Sequence, residues 1–109
     1  MRVYLKIKIM SLAAEARIIR RETKRYPGEH PARIGLYFHR IHDVRMESRS
    51  ACLAYGFLKG RSYKQIEQSS YTKPDWKRIE ELIKKYGDGD PRDRMQKFSE
   101  WKDAAGPSG

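Results

Sequence analysis

Arg17, Arg20, Arg21 and Lys24 recur at i, i+3, i+4 and i+7, the spacing that aligns side chains on one face of an α-helix. A guanidinium presents a planar fork of donors that grips phosphate through two bonds, so the chemistry of such a stripe is capture of a polyanion. Lys6, Lys8, Arg33, Arg40 and Arg49 lie in the same half of the chain, and Tyr4, Tyr26 and Tyr37 could stack on unpaired bases. A second cationic group, Lys73, Lys77, Arg78, Lys84 and Lys85, surrounds a later helix. The competing account of the stripe is a solvated face balanced by Glu15 and Glu22.

The distribution of charge points the same way. The chain of 109 residues carries a net charge of +10. Residues 1–61 hold 14 Lys and Arg against 5 Asp and Glu, whereas residues 62–109 hold 10 against 9. Surplus charge gathered in one region raises a local positive potential that draws in phosphate backbones.

Acid–base chemistry has weaker support. His39, His42, Asp43, Glu47 and Glu67 are the candidates, and His39 and Asp43, four apart, share a helix face. Such a pair is commonly an ordinary helix contact. There is no HxxxH or HExxH motif, no glycine-rich phosphate loop, no nucleophile elbow and no acid cluster dense enough for Mg²⁺. Cys52, the single cysteine, sits in an apolar run and reads as a packing residue. No catalysis, metal or cofactor is expected.

These side chains must be positioned by a small fold. With 39% hydrophobic and 35% charged residues, one thin core is expected. Val3, Leu5, Ile7 and Ile9 alternate with Tyr4, Lys6 and Lys8, which predicts a short strand, paired with a second copy, or an extended arm along a helix. Ser11 then caps a helix over Leu12–Tyr26, with Leu12, Ala16, Ile19 and Tyr26 inward and the arginine stripe roughly 130° away. Pro27-Gly28-Glu29-His30-Pro31 is expected to be a linker or tight turn. A long helix follows from Ala32 to about Lys59, with Ile34, Phe38, Ile41, Cys52 and Tyr55 on its apolar row. Arg45 and Ser48 fall on that same row, a polar waist that needs pairing or a partner.

Gly60 ends the long helix, and Ser62 caps a short one to Gln68. Thr72-Lys73-Pro74-Asp75 has the form of a capping box before a helix over Asp75–Tyr86, in which Trp76, Ile79, Leu82 and Ile83 face the core and Gly87 is the stop. This half has a helix-turn-helix-like outline, in which the second helix would enter the major groove. Asp90 and Pro91 open a tail helix over 91–104 bearing Met95, Phe98 and Trp101, and residues 106–109 are expected to be mobile.

The stretch Lys6-Ile7-Lys8-Ile9-Met10-Ser11-Leu12-Ala13-Ala14-Glu15-Ala16-Arg17-Ile18-Ile19-Arg20 resembles the opening of small uncharacterised proteins encoded by tailed phages. His39-Arg40, Asp43-Val44-Arg45, Glu47, Arg49 and Leu53-Ala54-Tyr55-Gly56-Phe57-Leu58-Lys59-Gly60 are similar to their central stretch. Tyr63, Glu67 and Lys84-Lys85-Tyr86-Gly87 fit as well. The resemblance covers about residues 6–87 and brings no activity. It implies a phage origin, a bacterial cytoplasm and an inhibitor of host machinery as an alternative role.

The expected architecture is therefore mainly α: a small helical bundle around one long central helix, with an N-terminal strand or arm and a helix-turn-helix-like C-terminal half. Residues 1–87 form a basic domain and 88–109 a tail. The expected function is binding of nucleic acid, DNA or RNA, through Arg17, Arg20, Arg21, Lys24, Arg33, Arg40, Arg49, Lys73, Lys77 and Arg78, with a regulatory role if the second half reads DNA. The alternative is a phage-encoded inhibitor docking on a host protein or nucleoprotein complex, such as an antagonist of bacterial defence. A homodimer is open on either account. No signal peptide or membrane span is expected.

Overall fold

The computed structural model describes residues 2–25, 31–66 and 73–105, with side chains at 2–22, 35–66 and 73–105. The expected helix end at Tyr26, the turn at Pro27-Gly28-Glu29-His30, Gln68, Thr72 and the 106–109 end lie outside the described residues. Those that are described form five α-helices and no strand: α1 (Arg2–Arg25), α2 (Pro31–Leu58), α3 (Tyr63–Ile66), α4 (Trp76–Tyr86) and α5 (Pro91–Ala104).

The first helix corrects the strand or arm expected over residues 3–9. Two helical rows interleave there and imitate a period of two. Leu5 and Ile9 continue through Leu12 and Ala16 to Ile19, and this row turns inward, with Leu5 and Ile19 fully buried. Val3 and Ile7 continue through Met10 to Ala14 and face solvent. A helix satisfies its own backbone, whereas a single strand would need a partner for every second amide. Ser11 is therefore mid-helix and not a cap.

α1 and α2 run antiparallel. The guanidinium of Arg2 donates to the Leu58 carbonyl at one end (3.3 Å), and Arg40 pairs with Glu22 towards the other (3.6 Å). At 1.5 Å per residue they are about 36 and 42 Å long. α2 has no single apolar face: Val44, Ser50, Ala51, Leu53 and Ala54 are buried, while Phe38, expected inward, is exposed, and Ile41, Cys52 and Tyr55 are half-buried. It lies at the centre, with α1, α3 and α4 packed around it. Its inward surface mixes the small Ser50, Ala51 and Ala54 with the larger Val44 and Leu53. Gly60, at φ 81°, closes the helix with bonds from its own amide to Phe57 O and from Arg61 N to Gly56 O, the paired pattern of a Schellman stop.

The remaining helices cover one end of the α1–α2 pair. α3 is a single turn, held by a reciprocal capping box in which Gln65 N donates to Ser62 Oγ and Ser62 N donates to Gln65 Oε1. At α4 the cap is Asp75 itself, which accepts from Arg78 N, so the box expected to start at Thr72 is replaced by one acid at the N-cap. Asp90 and Pro91 open α5 as expected. Phe57, Tyr63, Trp76, Phe98 and Trp101 then form one aromatic cluster with ring centroids 5.5–6.3 Å apart, and Trp101 Nε1 donates to Arg61 O. The tail helix is part of the core. α4 carries Lys77, Lys84 and Lys85 beside Glu80 and Glu81, and the expected end of the short helix at Gln68 and its turn to α4 lie outside the described residues.

Because α3, α4 and α5 gather at one end, the far half of the α1–α2 hairpin extends beyond them. The radius of gyration is 16.2 Å, against about 13 Å for a compact chain of this length. Among the described residues no helix is long and apolar enough to cross a membrane. If α5 belongs to the core, Phe98→Ala should cost about 3–4 kcal/mol in urea unfolding; a loss below about 1 kcal/mol would show the tail to be dispensable.

Candidate nucleic-acid interface

The functional feature emerges where the two long helices pass each other beyond the main core. A cleft of about 460 Å³ opens between α1 and α2, lined by Arg17 and Arg20 from the first and by Arg45, Ser48 and Arg49 from the second. Its floor is apolar, from Leu12, Ala13, Ala16 and Val44, and no acid lines it. Helical spacing explains the convergence. Arg17 and Arg20 flank the inward row at Ala16 and Ile19, and Arg45 and Arg49 lie four apart on α2 beside Val44. Among the described residues Arg17, Arg20 and Arg45 make no ion pair. Arg49 is half-buried, with Nη1 donating to Lys73 O at 3.4 Å.

The other expected residues are distributed differently. Arg21 is exposed but points away from the cleft, 100° around the helix from Arg20. Arg40 is held by Glu22. The side chains of Lys24 and Arg33 lie outside the described residues. Lys73 and Lys77 are exposed near and on α4, and Arg78 is tied to two acids. Tyr4 is 13 residues from Arg17, about 20 Å along the helix, and Tyr37 is half-buried. Neither lines the cleft, and Tyr26 lies outside the described residues. Arg45 was legible only as a misfit, a cation on an apolar row.

Glu47, an acid two residues from Arg45 in sequence, is engaged elsewhere. Its carboxylate accepts from Arg78 Nε at 2.9 and 3.1 Å and meets Arg78 Nη2 at 2.8 Å, while Lys8 Nζ stands 3.6 Å away. Glu81 holds the same guanidinium at 3.1 Å. The one acid of the waist on this side is thus bound to α1 and α4. Burial pushes the Glu47 carboxyl up, but the hydrogen bond and charge of Arg78, with Lys8, outweigh it and hold the group below its ordinary value. The bond from Glu47, and less so that from Glu81, raises Arg78 against the opposing effect of burial.

His39 and Asp43 do meet, at 3.5 Å, on an exposed helix face away from any acid cluster. Among the described residues no group of three or more His, Cys, Asp or Glu could hold a metal ion. No family model, curated protein or solved structure matches the chain. The site has to be judged on its own chemistry: a shallow cationic cradle with an apolar floor, able to bind an anion and lacking a proton-transfer pair.

A group with a lowered folded pKa stabilises the protein above its unfolded value and loses that contribution as the pH falls through its folded one. Glu47→Gln should therefore destabilise the protein at pH 7 by about 1–2 kcal/mol, discounted because Arg78 is partly exposed. The difference from wild type should narrow as the pH falls below the ordinary 4.5. Urea titrations across that range measure it, and a gap independent of pH would contradict the ion-pair account.

Proposed function

We propose that the protein binds nucleic acid by its phosphate backbone, seated in the arginine cleft between α1 and α2. One observation carries this: Arg17, Arg20, Arg45 and Arg49 converge from two helices on a single cleft that no acid lines. Gathering guanidinium groups raises the energy of the empty fold, and a bound polyanion offsets that repulsion. A folded protein keeps such a cluster most readily when an anion is its partner. The apolar floor limits water around the phosphate and favours the forked geometry over a loose ion cloud.

Backbone contacts of this kind fix position and carry no base sequence. The protein would accordingly hold nucleic acid without strong sequence preference, and α4, with its acids, is not needed to read a groove. Together with the resemblance to small tailed-phage proteins, this reading has the protein at work on nucleic acid in an infected bacterial cytoplasm. No metal, cofactor or bond-making step enters it.

Phosphate contacts from Arg17, Arg20 and Arg45 on duplex DNA should cost roughly 40-fold in affinity between 50 and 200 mM salt. Replacing Arg17, Arg20 and Arg45 with alanine should flatten the log–log salt slope by about 3 while leaving the melting curve near wild type. Arg21→Ala, outside the cleft, should change the slope by less than any of the three. Fluorescence anisotropy on short duplexes and single strands across a salt series measures all of this. Wild-type affinity in the triple variant would end the proposal.

A further inference from the structure

The outer face of α1 carries a second surface, which meets the cleft only at Arg17. Val3, Ile7, Met10, Ala14, Arg17 and Arg21 succeed one another at spacings of 4, 3, 4, 3 and 4. That is the seam of a heptad repeat, the pattern a helix shows where another helix lies along it. Here the seam faces solvent: Val3 is 59%, Ile7 52% and Met10 63% exposed, with Ala14, Arg17, Ile18 and Arg21 exposed beside them. α1 packs on α2 and more lightly on α4, using the opposite row through Leu5 and Ile19. A helix with apolar rows on two opposite faces, one of them buried, has a face left to cover.

The order of residues along the seam identifies its occupant. Four small or apolar residues come first, then two arginines on the same line, over a length of about 27 Å. A second copy does not fit. Parallel pairing would set Arg17 and Arg21 against their equivalents, and antiparallel pairing would set them against Ile7 and Val3, desolvating guanidinium without an acid. A bilayer does not fit either, because cations on the centre line of the apolar row would be its deepest side chains, where interfacial helices keep them at the flanks. Nucleic acid would meet the arginines and leave the apolar part uncovered. We infer that the Val3–Arg21 face docks an amphipathic helix of a partner protein, apolar along Val3–Ala14 and acidic where it meets Arg17 and Arg21. An antiparallel arrangement also brings the positive end of the partner's dipole towards the C-terminal end of α1, with its acids in the favoured first turns.

The test uses synthetic 21-residue helical peptides with leucine or isoleucine at the seam positions facing Val3–Ala14 and glutamate at those facing Arg17 and Arg21. One peptide is built for each orientation, with lysine-for-glutamate counterparts. At least one glutamate peptide should bind the full-length protein about 10-fold or more tightly than its lysine counterpart, the antiparallel design better. Ile7→Gln with Met10→Gln, which leaves the charge unchanged, should abolish that binding while melting and oligonucleotide binding stay near wild type, which separates this surface from the cleft. Arg21→Glu, which leaves Arg17 in place, should largely erase the preference between the glutamate and lysine peptides. The inference is overturned if neither glutamate peptide outbinds its counterpart, or if the double variant binds as wild type does. It is also overturned if sedimentation shows a dimer that the double variant breaks, or if anionic vesicles capture the wild type but not the double variant.

Discussion

The scarcity of large buried side chains governs the form of this protein. The largest that are fully buried are Leu5, Ile19, Leu53, Ile79, Leu82 and Ile83, and all but Ile19 belong to the end where α3, α4 and α5 close over the hairpin. Each contributes on the order of 2–3 kcal/mol, a supply too small to wrap two helices of 24 and 28 residues along their whole length. Among the described residues the far half of the pair is joined by Ile19, Val44 and the Glu22–Arg40 contact, and the cleft lies beside them. Cations can accumulate beside the cleft because, among the described residues, few large buried side chains compete for the same faces.

Glu47 marks the boundary between the two halves. It lies where α1, α2 and α4 meet, and its partners Lys8 and Arg78 are cations that serve the fold. A turn or so further along the hairpin, Arg17, Arg20 and Arg45 have no equivalent acid among the described residues. The same guanidinium chemistry is thus used for two ends within one hairpin. What separates structural from available arginine is the position of a single carboxylate, since a paired cation adds little field at a distance while an unpaired one attracts anions from solvent.

What could be read from the sequence followed the range of the interactions involved. Stops and caps at Gly60, Ser62, Asp75 and Asp90–Pro91 depend on a few neighbouring residues, and they were legible or nearly so. α1 was hidden because two helical rows, one buried and one exposed, sum to an alternation that imitates a strand. The inward face of α2 was hidden because much of it is Ser50, Ala51 and Ala54, which stand out less in a hydropathy pattern than the exposed Phe38. Arg17 and Arg20 were found by spacing. Their junction with Arg45 and Arg49 was not, because residues brought together across a hairpin from 25 or more positions apart obey no local periodicity.

The cleft and the outer seam are not independent in one respect, since Arg17 belongs to both. Around α1 it stands between Arg20, turned towards α2, and Arg21, turned outwards. An acid docked on the seam and a phosphate seated in the cleft would draw on the same guanidinium, which has one set of donors to divide. By linkage, whatever free energy one ligand loses through that sharing the other loses equally. A helix partner rich in acids would then loosen nucleic acid from the cleft, and nucleic acid would loosen the partner. One arginine at the junction of two helix faces is sufficient to turn two binding surfaces into an exchange.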